Sequence, residues 1–254
     1  MADTGSTART APPTVIADRV HVSYTVRTGS GPGRDRRVHA VRGVGFIARR
    51  GEAIGLIGSN GSGKSTLLKA IAGLQPVESG TIHTQGRPTL LGVDAALMGD
   101  LSGERNVILG GLAMGMTRSE ITARYDDIVA FSGLTEGRDD DPLSRPLRTY
   151  SSGMGARLRF AISATARSHD VLLLDEALAT GDARFRRRSR RRIDELRAAA
   201  GTVFLVAHAN ATIRETCDRA LWLEAGTLRM DGPAEEVVAA YEEFTRTGAT
   251  KPNK

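Results

Sequence analysis

An α/β fold with a parallel central sheet follows from three observations on the chain. Short apolar runs at residues 53–57, 171–174 and 202–206 have the length and content of strands buried on both faces. Segments of helical character lie between them, the alternation that builds a parallel sheet. The first run passes directly into a glycine-rich loop, Gly58-Ser59-Asn60-Gly61-Ser62-Gly63-Lys64-Ser65, and a helix-forming segment over residues 65–72 follows until Gly73 closes it.

The elements can be justified in chain order. Residues 1–13 are small and polar and read as a disordered tail without the apolar core of a signal peptide. Residues 15–26 alternate apolar and polar positions as a strand does, carrying Tyr24, and a second strand region covers residues 38–48. The intervening residues 28–37 are a loop by composition, rich in glycine. Helix-like stretches over residues 87–145, broken by glycine and proline, read as an inserted helical subdomain and not as a continuation of the sheet. An arginine-rich helix separates the two later apolar runs. From Ala220 a hairpin-like segment and a helix over residues 233–245 close the chain. The domain is expected to run from residue 14 to 246, with the helical subdomain at about 92–165 and residues 247–254 as a C-terminal tail. There is no internal repeat.

The glycine-rich loop has the spelling G-x-x-x-x-G-K-S, and each fixed position has a physical task. Glycines let the backbone curl so that successive N–H groups point inward at a phosphate. Lys64 supplies a point charge to the β- and γ-phosphates, and Ser65 offers a hydroxyl to Mg²⁺. The following helix aims its positive end at the same anion. Residues 58–65 together with Thr66 are therefore the expected contacts of a nucleotide, with ATP and Mg²⁺ as the ligands.

Composition sets bounds. The chain has 254 residues, 40% hydrophobic and 25% charged, enough to bury one large or two small cores. No apolar stretch approaches the length of a membrane-spanning helix, and the reading is a cytoplasmic protein. One cysteine, Cys217, excludes an internal disulfide framework and a cysteine-rich zinc site. The net charge of +6 invites a nucleic-acid reading, but much of it sits in one run from Arg184 to Arg192, and aromatic residues are only 4%. A solvated helix face is favoured there, no nucleic acid is expected, and contact with anionic lipid headgroups remains a further alternative.

Two more motifs carry chemistry. Val171-Leu172-Leu173-Leu174-Asp175-Glu176 is an apolar strand ending in paired acids. Asp175 at the strand end is placed to hold Mg²⁺ through water, and Glu176 to orient or deprotonate an attacking water. The pair could instead cap a helix, but its position downstream of a phosphate loop favours catalysis. Upstream lies Tyr150-Ser151-Ser152-Gly153-Met154, a serine–glycine turn that can open a helix and offer N–H groups and a hydroxyl to an anion.

Taken together these residues resemble the nucleotide-binding subunit of an ATP-binding-cassette (ABC) transporter, over nearly all of residues 15–245. Ser151-Ser152-Gly153-Met154 stands where that family has its signature, usually Ser-Gly-Gly-Gln. Ala177-Leu178-Ala179-Thr180-Gly181-Asp182 occupies the D-loop, Val206-Ala207-His208 carries the switch histidine, and Tyr24 fits the aromatic that stacks on adenine. The fold implied is a phosphate-loop NTPase of the ABC ATPase type, a parallel-sheet core with an N-terminal antiparallel β part and a helical subdomain. Finer details are similar to bacterial exporters of cell-surface polysaccharide, including O-antigen, capsule, galactan and teichoic acid. Tyr150 to Met154 followed by Arg157-Leu158, and Leu178-Ala179-Thr180-Gly181-Asp182 followed by Phe185, carry that likeness. Leu101-Ser102-Gly103-Glu104-Arg105-Asn106 resembles those exporters' Leu-Thr-Gly-Arg-Glu-Asn with the charged pair reversed. Many relatives keep a glutamine near positions 93–94, where this chain has Val93-Asp94; polysaccharide exporters commonly lack it.

The resemblance implies a homodimer that sandwiches two ATP molecules. Each would meet Lys64 and Ser65 of one copy and Ser151 and Gly153 of the other, with Glu176 and His208 catalytic and Asp182 of the D-loop among the nucleotide contacts. Opening and closing would drive a separate integral membrane permease, which would make most contacts to the glycan. The chain would lie peripherally at the cytoplasmic face of the plasma membrane. The alternative is an ATPase of the same fold acting in translation, DNA repair or regulation. Cys217 and Trp222 read as core residues.

Overall fold

The protein is described in a computed structural model over residues 11–27, 35–91, 97–137, 140–165, 170–175, 183–207 and 209–248. The chain divides into two compact units, one comprising Met1–Pro88, Leu173–Asp175 and Gly201–Lys254, the other Thr89–Leu172 and Glu176–Ala200.

In the first unit, strands β1 (Pro13–Arg27) and β2 (Asp35–Arg49) pair antiparallel, and β4 (Ser79–Thr84) lies on the other side of β1. This sheet buries Val15, Val20, Val22, Val41 and Val44 on one face, the alternation expected of a half-buried antiparallel sheet. β2 begins at Asp35, opposite Arg27, so residues 35–37 belong to the strand and not to the loop that their composition suggested. Residues 28–34 of that loop lie outside the described residues. β4 gives little sequence signal because Ile82 is its single large apolar residue; its partner strand and not its own pattern makes it a strand.

The central strand of the first unit is β3 (Ala53–Ile57), with Ile54 and Leu56 fully buried. It is flanked in parallel by β7 (Thr202–Val206) and β8 (Arg219–Glu224), and β8 turns back antiparallel into β9 (Thr227–Pro233). Leu173–Asp175, the end of β6 (Val171–Asp175), belongs to this unit as well. Helix α1 (Lys64–Ile71) follows β3 and buries Leu67, Leu68 and Ile71. A short helix α6 (Asn210–Thr216) and the closing helix α7 (Ala234–Thr247) complete it. Arg214 of α6 is clamped to Glu242 of α7 by paired contacts of 2.9 Å. Cys217 and Trp222 are buried, as read from the sequence, and the indole packs edge-on to Tyr241 and Phe244.

The second unit is mainly helical, with the short strand β5 (Pro88–Leu90) at its start and helices α2 (Gly103–Ala113), α3 (Arg118–Ser132), α4 (Ser152–Thr165) and α5 (Ala183–Ala199). Thr117 and Glu120 form a reciprocal capping box at the start of α3, and Gly133 ends it in the left-handed conformation. Val107, Ile121, Ile128, Leu134, Leu158 and Ile162 form its core.

The arginine run on α5 is not a uniformly solvated face. Arg188 donates to the carbonyls of Ala130 and Phe131 at the end of α3, and Arg192 donates twice to the Ala164 carbonyl at the end of α4. Guanidinium groups there add donors to carbonyls of the last helical turns and match the negative helix end. Phe185 is buried against Phe131 and Phe160. Arg187, Arg190 and Arg191 are exposed.

Candidate functional site

The first unit presents a curled loop between a buried strand and a helix. β3 delivers Gly58, whose φ of 140° belongs to glycine, and a Cβ there would collide with the carbonyl oxygen of Leu223. Gly63 caps α1 at φ 103°, and a Cβ on it would strike the Ala40 carbonyl. Small size is therefore required at both ends of the loop by backbone packing as well as by torsion angle. The Gly63 cap makes no side-chain hydrogen bond, so the first N–H groups of α1 depend on the loop backbone, solvent or a ligand.

Lys64, the first residue of α1, turns its ammonium back over the loop, donating to the carbonyls of Gly58 at 2.7 Å and Ser59 at 2.8 Å. Partial burial pulls its pKa below the ordinary lysine value, while the negative charges of Glu224 and Asp175 act in the opposite direction. Ser62 is buried and Asn60, Gly61 and Ser65 are exposed. The Tyr24 hydroxyl donates to the Thr66 hydroxyl at 3.2 Å, which fixes the tyrosine beside the first turn of α1.

Asp175 ends β6 and is half-buried. A Mg²⁺ ion fits the donor set that the first unit offers. It is a hard cation that binds few protein oxygens and otherwise holds water and phosphate, and Ser65 and Asp175 provide one hydroxyl and one carboxylate. Among the described residues no cluster of His, Cys, Asp and Glu forms a metal cage of its own.

In the second unit, Ser151 caps α4, its hydroxyl accepting from the Met154 N–H at 3.2 Å. A Cβ at Gly153 would meet nothing closer than the Ser151 hydroxyl at 4.0 Å, so the first turn of α4 is open on that side. The segment before it is held by side chains that sequence reading quoted but assigned no role. Asn106 is fully buried and knots residues 98–102: it accepts from Met98 N–H and donates to the carbonyls of Met98, Leu101 and Ser102. That loop pairs with the approach to Ser151, through Leu147 N–H to Leu101 and Arg148 N–H to Gly99. The Tyr150 hydroxyl donates to the Pro142 carbonyl at 2.6 Å and approaches Gly103 so closely that a Cβ there would clash. Burial and the nearby Asp141 push the Tyr150 phenol up to about 12.

The residues expected from the sequence thus fall into two groups. Tyr24, Gly58–Thr66 and Asp175 belong to the first unit, and Ser151 and Gly153 to the second. Glu176, His208, the D-loop residues 177–182 with Asp182, and Val93-Asp94 lie outside the described residues. Glu224 was missed. It accepts from the Ser59 hydroxyl at 2.5 Å across 165 positions of sequence, a separation no local pattern reveals.

A buried parallel strand, a glycine-curled loop and a lysine at the start of the next helix define a nucleotide-binding domain of the phosphate-loop class. Known proteins sharpen this. The ABC transporter family model matches residues 41–179, and the chain belongs to that family. It is 42% identical over 207 residues to the O-antigen export system ATP-binding protein RfbB of Myxococcus xanthus, covering 81% of this chain and 46% of that protein. It is 37% identical to the teichoic acids export ATP-binding protein TagH of Lactococcus lactis, covering 89% of this chain and 47% of that protein. The Staphylococcus epidermidis TagH is 38% identical, with 84% of this chain and 79% of that protein covered. The chain spans about half the length of the first two of these relatives. Among solved structures, an ATP-binding subunit of an ABC transporter superposes with a TM-score of 0.67 at 22% identity, covering 93% of this chain and 95% of that one. A dimeric ATP-binding cassette in a post-hydrolysis state with ADP and Pi superposes with a TM-score of 0.65 at 18% identity, covering 87% and 98%. The α/β fold with its parallel sheet and helical part is that of the ABC ATPases.

Proposed function

We propose that this chain is the ATP-binding and ATP-hydrolysing subunit of an ABC exporter that moves a cell-surface polysaccharide, such as O-antigen or teichoic acid, across the plasma membrane through a separate permease. The observation that carries the nucleotide half is Lys64 held over the curled loop between β3 and α1. The names of relatives 35–42% identical support the export half.

In this reading the N–H groups of the loop and the first turn of α1 bind the phosphates, and Lys64 exchanges its carbonyl contacts for phosphate oxygens. Tyr24 stacks on the adenine, and Ser59 to Thr66 line the phosphate path. Ser65, and Asp175 through water, would hold Mg²⁺, which would supply positive charge against the phosphates. Glu176 takes a proton from the attacking water, and His208 donates to the γ-phosphate. Ser151 and Gly153 of a second copy close on the same nucleotide, with Asp182 a further nucleotide contact, so ATP holds a homodimer together until hydrolysis. No helix among the described residues is long and apolar enough to cross a membrane. The names of the export relatives support a place for the chain at the cytoplasmic face of the membrane as a peripheral subunit, with the permease contacting most of the glycan.

Glu176→Gln should lower turnover by about 10²-fold or more while ATP binding is kept and the dimer lives longer. Hydrolysis at the wild-type rate would overturn the catalytic assignment. A tagged chain isolated from membranes should bring down an integral membrane permease in about equal amount. Recovery only with ribosomes or DNA would leave the ATPase and remove transport.

A further inference from the structure

We propose that Glu224 is a second carboxylate of the phosphate-loop site, one that tethers Ser59 and opposes the negative charge of a bound nucleotide. The proposal rests on the nucleotide-binding reading given above.

The hairpin between β8 and β9 backs the loop at several points. The carbonyl of Leu223 closes on Gly58, the Gly226 N–H donates to the Ser62 carbonyl at 3.1 Å, and Glu224 accepts from the Ser59 hydroxyl at 2.5 Å. The second oxygen of Glu224 accepts from the Trp222 indole N–H at 3.4 Å, so the carboxylate is oriented from both sides. The tip turns through the left-handed region: Ala225 has φ 49°, which a side chain disfavours, and Gly226 φ 85°. A register shift between Trp222 and Leu223 adds a local kink beside the contact, of the kind that re-aims side chains. Surroundings that keep a non-glycine residue at positive φ over-determine the tip, and what they fix is Glu224 against the loop.

A carboxylate at this place runs against the design of an anion site. Curled backbone N–H groups, a helix start and a lysine all favour phosphate. Glu224 works against them by holding a negative charge against the loop at Ser59, where it repels the polyphosphate. The consequence is a site whose affinity depends on Mg²⁺, because the cation removes the charge that Glu224 repels. Glu224 is a positioning residue: it acts on the nucleotide by tethering Ser59 and by the charge it sets behind the loop.

Glu224→Gln separates the two effects, since the amide oxygen still accepts from Ser59 while the charge is gone. Titration with MgATP, MgADP and metal-free ATP is the test. The variant should bind MgATP about three- to tenfold more tightly at low ionic strength, and the gain should shrink at high salt. The gain should be smaller for MgADP and larger for metal-free ATP. Glu224→Asp, which restores the charge, should return affinity toward wild type. Ser59→Ala removes the tether and leaves the carboxylate charged, and should weaken MgATP binding about threefold or more; this variant also serves if Glu224→Gln does not fold. Unchanged or weaker MgATP binding in a folded Glu224→Gln protein overturns the charge role, and unchanged binding in Ser59→Ala overturns the tether. Absence of MgATP binding in the wild type would instead remove the underlying nucleotide-site reading.

Discussion

The two units build their candidate sites by different means. In the first, the loop is shaped by backbone: Gly58 and Gly63 take positive φ and lie against the carbonyls of Leu223 and Ala40. In the second, side chains shape the approach to Ser151: buried Asn106 knots residues 98–102, and the Tyr150 hydroxyl fastens to Pro142. A backbone-built site is sensitive to any added carbon and indifferent to most exposed side chains. A side-chain-built site is sensitive to the loss of a few polar atoms. The difference suits the tasks, because phosphate is bound by convergent N–H groups, whereas a capping serine needs only a fixed helix start.

The largest way to break this contrast is Asn106→Ala. It removes the hydrogen bonds by which a fully buried side chain holds the 98–102 loop and leaves a void in its place, and a loss of about 3 kcal/mol is expected. Hydrogen exchange should quicken in α2 and around residues 97–102, while MgATP affinity stays at wild type; a fall in MgATP affinity of the isolated chain would contradict the division of labour. Next comes Gly63→Ala, where left-handed strain and the Ala40 carbonyl act together at about 2 kcal/mol. That should appear as roughly a 30-fold loss of nucleotide affinity by calorimetry, with exchange in α2 to α4 unchanged. Unaltered affinity would refute the backbone account of the loop.

Tyr150→Phe is smaller. It removes one hydrogen bond and relieves nothing, so about 1 kcal/mol of stability should be lost in chemical denaturation. The smallest effect is on pH. Lys64 sheds its proton below the ordinary 10.5, so MgATP affinity should fall on the alkaline side earlier than for an exposed lysine. The unfolded chain binds more protons than the folded one between that lowered value and 10.5, so the same rise in pH removes a burial cost and raises stability. Affinity and stability should therefore move in opposite directions across that window, measured by titration and thermal melts at stepped pH. Parallel loss of both would contradict the burial of Lys64.

Much of this was legible in the sequence because some residues have no other economical use. The apolar runs in 53–57, 171–174 and 202–206 have the length and content of buried strands, and the glycine spacing before Lys64, set between strand and helix, fits a phosphate loop. What was hidden depends on distant partners. β4 has a single large apolar residue and is a strand because β1 accepts it. Arg188 and Arg192 looked like solvated charge, yet they donate to carbonyls at the ends of α3 and α4. The contact of Ser59 with Glu224 joins opposite parts of the chain, and an acid at a hairpin tip is ordinary until its neighbour is known. Asn106 was visible only as a letter in a motif; its burial supplies the reason for the letter.

The most direct measurement for the central claim is MgATP binding by calorimetry, wild type against Lys64→Ala, with phosphate release followed on the same samples. The account predicts saturable binding that the substitution weakens by about tenfold to a hundredfold, the range of a charge-assisted contact, and turnover that falls with it. Equal affinity and equal phosphate release in the two proteins would contradict it.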